Sequence, residues 1–142
     1  MAQTVSKIFA SHKITAYTQG SLASAVDIGW VDMQDYENFA ALGLATALTG
    51  IGLTTFKILG NTSSTGAGTD VLIKTHAIGS APDAVGDYLV LECTVEEMAS
   101  AGADLRYLSV SAVAANAADR VAFFYVRTGG IGKAGSTADV VA

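Results

Sequence analysis

Two histidines, one cysteine, an adjacent pair of glutamates and a glycine-rich stretch ending in lysine are the residues of this 142-residue chain whose types could do chemistry. Imidazoles hold a metal or pass a proton when further donors stand near. His12 and His76 are far apart, and neither has a Cys, Asp or Glu at ligand spacing. Cys93 has no base beside it in sequence to make a thiolate, and reads as a small buried apolar residue. Glu96 and Glu97 would have to face each other to work as acid and base, but neighbours on a helix diverge by about 100°. Thr128 to Ala134 resembles a phosphate loop only in part. Arg127 stands where the first glycine is required and Ala134 where the Ser or Thr is required. Asp70, Asp83 and Asp87 lack calcium-loop spacing, and there is no nucleophile-elbow motif. The expectation is a non-enzymatic chain with no catalytic residue, no metal site and no cofactor.

The elements that would position such groups are easier to read. Asp87 to Thr94 alternates in the period of two of a half-buried strand. Thr94 then caps a short helix over about 95–101, because Thr94, Val95, Glu96, Glu97 form a capping box in which hydroxyl and carboxylate each accept from the other residue's amide. Gly102 is the expected stop, as a left-handed cap. Leu105 to Val113 returns to alternation. Further on, Arg120 to Arg127 puts Val121, Phe123 and Tyr125 on one face and Ala122, Phe124 and Val126 on the other. Both faces read as buried, which places this strand centrally.

Phe39 to Phe56 carries no charge over a length that touches the threshold for a membrane-spanning helix. Four threonines and three glycines count against that, and Thr49 to Gly52 reads as a turn. A hairpin of Phe39–Leu48 and Leu53–Leu59 is the preferred reading, with a buried small-residue helix as the alternative for its first arm. Gly60 to Asp70 is a polar loop, Val71 to Ile78 a strand, and Ala81 to Ala84, with the only proline, a turn. Asp27 to Met33 reads as extended, with Ile28 and Trp30 on one side and Val31 and Met33 on the other. Trp30 is expected to pack over the end of the core, with stacking on a sugar or base as the alternative. Short strands at regular intervals, with turn signals between them, predict a mainly β fold: an antiparallel sandwich or barrel of about six or seven strands with one short α-helix. The chain divides into an N-terminal arm over 1–26, one domain over 27–127 and a C-terminal tail over 128–142.

Eight Lys and Arg against thirteen Asp and Glu give a net charge of −5, which argues against a nucleic-acid binder. The first 26 residues hold Lys7 and Lys13 but no acid, whereas Asp27, Asp32, Asp35 and Glu37 follow with no base among them. Such a polarity suits contacts between neighbouring copies or with another protein, and a solvated face is the alternative. Lys13, Asp32, Asp35 and Glu37 are therefore candidate partner contacts. Residues 1–20 lack the apolar run of a secretory signal, and a lone cysteine makes no internal disulfide, so the chain is expected to be made in a cytoplasm.

Two segments, Ile58 to Ala77 (ILGNTSSTGAGTDVLIKTHA) and Ala84 to Val110 (AVGDYLVLECTVEEMASAGADLRYLSV), resemble small virion structural proteins of tailed bacteriophages in texture: rich in Ala, Gly, Ser and Thr, poor in Pro and Lys, and strand-dominated. The resemblance covers about the last two thirds of the chain. It implies a capsid decoration, or cement, protein that acts as a homotrimer on the virion and binds the major capsid protein, with neither a nucleic-acid nor a membrane partner. It also implies an N-terminal arm that adds to a capsid sheet. On this sequence the arm contacts would be Thr4, Val5, Ser6, Lys7, Ile8 and Phe9, although no proline precedes Pro82 as it commonly does in such arms. The small-residue run Ala40 to Ala47 would allow the close approach that a subunit interface around a symmetry axis needs. A tail-tube, connector or head-completion subunit is the alternative within the structural class, and a carbohydrate-binding module the alternative outside it.

Overall fold

A computed structural model describes residues 13–18, 26–48, 53–76, 84–114 and 116–129. Among them are nine strands: β1 (Lys13–Thr18), β2 (Val26–Asp27), β3 (Val31–Asp32), β4 (Asn38–Ala47), β5 (Leu53–Asn61), β6 (Val71–Thr75), β7 (Tyr88–Thr94), β8 (Tyr107–Ala114) and β9 (Arg120–Thr128), with the helix α1 (Val95–Ala101) between β7 and β8. They form two antiparallel sheets. One has the order β1-β9-β4-β7; the other has β2-β8-β5-β6, with β3 also on β8. Among the described residues the fold is thus a β-sandwich with one short helix, and its sheets are open rather than closed into a barrel.

Alternation along the strands decides what lies between the layers. In β4, Phe39, Ala41, Gly43 and Ala45 face inward, and in β9, Val121, Phe123, Tyr125 and Arg127 do. Leu53, Phe56 and Ile58 of β5 and Leu108, Val110 and Ala112 of β8 meet them from the other sheet. Phe56 stacks with Phe123 across the seam at 6.0 Å between centroids, and Tyr125 sits edge-on to Phe39 at 5.1 Å.

The helix runs over the predicted residues because its cap is local. The Thr94 amide donates to Glu97 Oε2 at 2.9 Å and the Glu97 amide donates to Thr94 Oγ1 at 3.2 Å. Its end differs from expectation. Gly102 has φ −170°, extended backbone open to any residue, while the left-handed position nearby is Asp104 at φ 59°. Gly102 is small for a steric reason: a Cβ there would lie 3.1 Å from Leu105 Cδ1.

Two further expectations are corrected, and one strand is given its partner. Phe39–Leu48 and Leu53–Leu59 are both extended, but they belong to different sheets and do not pair. β4 pairs with β7 and β9, and β5 with β6 and β8. Lys13 to Tyr17, a strand-like piece of the arm by sequence, is extended as read and forms with Thr18 the edge strand β1 of the first sheet, with Lys13 opposite Arg127 and Thr18 opposite Ala122. The even alternation from Asp27 to Met33 is broken between β2 and β3, so that Ile28, Val31 and Met33 are all buried. Gly29 lies in that break against Tyr17, whose ring would be 2.6 Å from a Cβ.

Candidate interaction surface

Each candidate acid has a place in the fold. Asp32 accepts from Arg106 Nε at 2.9 Å and from Arg106 Nη2 at 2.6 Å, and the Gln34 amide donates to it at 2.9 Å. The hydrogen bond from Arg106 comes first among the causes that hold its carboxyl below the usual carboxylate range. The Asp32 carbonyl accepts from Arg127 Nη1 at 2.7 Å, and that buried guanidinium lies 4.7 Å from the centre of the Tyr36 ring. Asp35 adds to the negative field that raises the Arg106 pKa, behind the direct bond to Asp32. Glu37 is tied through its backbone: its amide donates to the Thr128 carbonyl at 3.0 Å and its carbonyl accepts from the Val95 amide at 2.9 Å. Asp32 is thus paired within the fold with Arg106, which also lies in the field of Asp35, whereas Glu37 is fixed through its backbone only. Thr4, Val5, Lys7, Ile8 and Phe9 lie outside the described residues, as does the side chain of Lys13.

Cys93 points into the core, where burial, aided by the Glu97 carboxylate, pushes its thiol up to about 12, so it is protonated at neutral pH. Glu97 is held low by the hydrogen bond from Lys74, at 2.9 Å, and by its role in the cap. Among the described residues no group of three or more His, Cys, Asp or Glu could hold a metal ion, and no helix is long and apolar enough to cross a membrane. Trp30 is half-buried, its indole against Gly66, which turns at φ +70° and leaves no room for a Cβ.

What the fold does assemble is the outer face of the first sheet. Side chains alternate, so the residues between the buried ones of β4, β7 and β9 point away from the core. Register places them in rows across the sheet. Ala122, Leu44 and Tyr88 form one row; Ala16, Phe124, Leu42 and Val90 form the next; Val126, Ala40 and Glu92 form the third. Tyr88 is 64% exposed and Val90 41% exposed. Glu92 is the one charged residue in these three rows. Beside the small Ala40 the face dips into a cleft of about 420 Å³, with Val126 and Glu92 on its walls and Lys74 and Glu97 at its rim. A second, more open groove of about 540 Å³ runs between α1 and the 33–37 turn, floored by Met33, Tyr36, Met98 and Leu105.

The sequence carried a sign of this face. Between its terminal arginines both sides of β9 are apolar, and the structure puts one side in the core and leaves the other half-exposed. The central position of β9, between β1 and β4, fits the apolar stretch Val121 to Val126, whose outer side chains form the middle of an apolar surface.

These features define the class of the chain as a two-layer antiparallel sandwich with an apolar outer sheet face. No family model matches it, and no curated protein matches it. It is similar to a solved structure described as "Bacillus endospore appendages form a novel family of disulfide-linked pili", at 13% identity and a TM-score of 0.43, over 82% of this chain and 86% of that one.

Proposed function

We propose that the chain is a non-enzymatic structural protein of a phage virion, a capsid decoration subunit that associates with copies of itself and with the major capsid protein. The observation that supports this is the outer face of the β1-β9-β4-β7 sheet, whose three rows hold nine uncharged residues and one acid. Water in contact with such a face is released when another surface covers it, and contiguous exposed apolar patches of a few hundred Å² mark interaction sites. The sandwich beneath is a firm support, because Phe39, Phe56, Phe123 and Tyr125 lock the strands that carry the face. The phage setting comes from the resemblance of 58–77 and 84–110, which also implies the arm contacts at Thr4 to Phe9.

The test is co-sedimentation of the purified chain with empty shells assembled from the major capsid protein of the same genome. The expected result is a fixed ratio of chain to shell subunit, saturable, with the loaded shells surviving to higher temperature than bare ones. Removal of residues 1–12 should abolish the binding while the domain keeps its fold. A chain that stays at the top of the gradient with intact shells would sink the proposal.

A further inference from the structure

The three rows on the outer sheet face are matched to themselves. The middle row holds Phe124 and Leu42. On either side of it, two residues along β4, stand a large residue and a small one: Leu44 in the row above and Ala40 in the row below. Along β7 the same positions hold Tyr88 and Glu92, a hydroxyl donor and a carboxylate acceptor. Turning a second copy over by a half-turn, about an axis that runs across the strands along the middle row, exchanges the outer rows and keeps the strands in order. Leu44 of one copy then meets the cleft at Ala40 of the other, the Tyr88 hydroxyl meets the Glu92 carboxylate, and Phe124 and Leu42 meet their own counterparts. The off-axis contacts occur twice and the two on the axis once, as a two-fold interface requires. Sheets stack face to face at about 10 Å, the spacing that interdigitated Leu and Phe side chains fill.

From this self-matching of size and polarity we infer that the occupant of the face is a second copy of this chain, stacked sheet on sheet about a two-fold axis. The inference rests on the reading of the chain as self-associating, and it adds the order of association: two across this face, where the resemblance implies three. The size of the face sets the strength. Four strands about 4.8 Å apart and five residues long span roughly 19 by 19 Å with their side chains, so a pair buries about 700 Å² in all. That is small for a protein interface, so the pair in solution forms and dissociates with concentration. Copies held side by side on a shell would meet at a far higher effective concentration, and there a weak contact suffices.

Sedimentation velocity over a concentration series should show the mass rising from the 14.5 kDa of one chain toward twice that value, and stopping there. Phe124→Glu should hold it at one chain, with an unchanged far-UV spectrum and melting transition as evidence of folding. Cysteine cross-linking reads the register, since the native Cys93 is buried. Leu42→Cys, beside the axis, should form a disulfide-linked pair with itself. Leu44→Cys should not pair with itself but should pair with Ala40→Cys when the two variants are mixed. A trimer, a monomer at every concentration without a Leu42→Cys cross-link, or a Leu44→Cys chain that links to itself as readily as to Ala40→Cys would each overturn the inference. The shell experiment separates the two claims. A chain that binds shells but never pairs refutes the two-fold contact alone, whereas a chain that pairs but ignores shells refutes the decoration reading alone.

Discussion

Tyr125 shows how one atom joins the two layers. The strand beside β8 is interrupted between β2 and β3, which deprives Val110 of a neighbouring strand carbonyl for its amide. That amide instead donates 3.0 Å to the Tyr125 hydroxyl, which reaches it from the opposite sheet. A buried amide without a partner carries its full desolvation cost. Tyr125→Phe should therefore lower stability by about 1–3 kcal/mol, measured by urea unfolding, with little change in shape. A loss of a few tenths would mean that the amide finds another acceptor. Asp32 supplies a second prediction at this scale. Its folded pKa lies below its unfolded one, near 3.9, so between the two values the unfolded chain binds more protons. The stability it contributes is present above about pH 4 and is lost as pH falls through the folded value. Melting temperature followed from pH 6 to pH 2 should fall less steeply in Asp32→Asn than in the parent. Because the pair is partly exposed, the difference should shrink in high salt. Parallel curves for the two proteins would show that the Arg106 pair contributes nothing.

At the scale of elements, α1 was legible to the residue and the strand pairing was not. A capping box is local: Thr94 and Glu97 satisfy each other's amides within one turn, whatever the rest of the chain does. Thr94→Ala should cost about 1 kcal/mol, seen as a lower urea midpoint with an unchanged slope. An unaltered midpoint would mean that packing of Met98 and Val95, rather than the cap, holds the helix. Pairing is the opposite case. Apolar alternation marks Phe39 to Ala45 as a strand but says nothing of which strand lies beside it, and the nearest extended neighbour in sequence was the natural choice. The partners are β7 and β9, far along the chain, because Phe39 packs on Tyr125 and β5 is held by β8 in the other layer. The helix stops at Gly102 with extended backbone, so handedness is not involved, and a side chain there would crowd Leu105.

Over the whole molecule, composition and spacing sufficed for a mainly β sandwich, since the longer strands β4, β7 and β9 each show the period of two. The surface that matters for association was harder to see. Charges draw attention in a sequence, and the fold gives two of the acids an internal neighbour: Arg106 pairs with Asp32 and lies in the field of Asp35, while Glu37 stays exposed. An apolar residue gives no such signal, because burial in a core and exposure on a sheet's outer face look alike until the layers are known. Six of the eight connections between successive described strands change sheets, so neither layer is a continuous piece of chain. The first and last of those strands, however, lie side by side at one border, Lys13 opposite Arg127. Tension drawn between these two ends would load the rungs of that border one after another, like a zipper, before reaching the interlaced interior. A pull directed across the layers would meet the covalent crossings all at once, so the domain is compliant along one direction and stiff along the other.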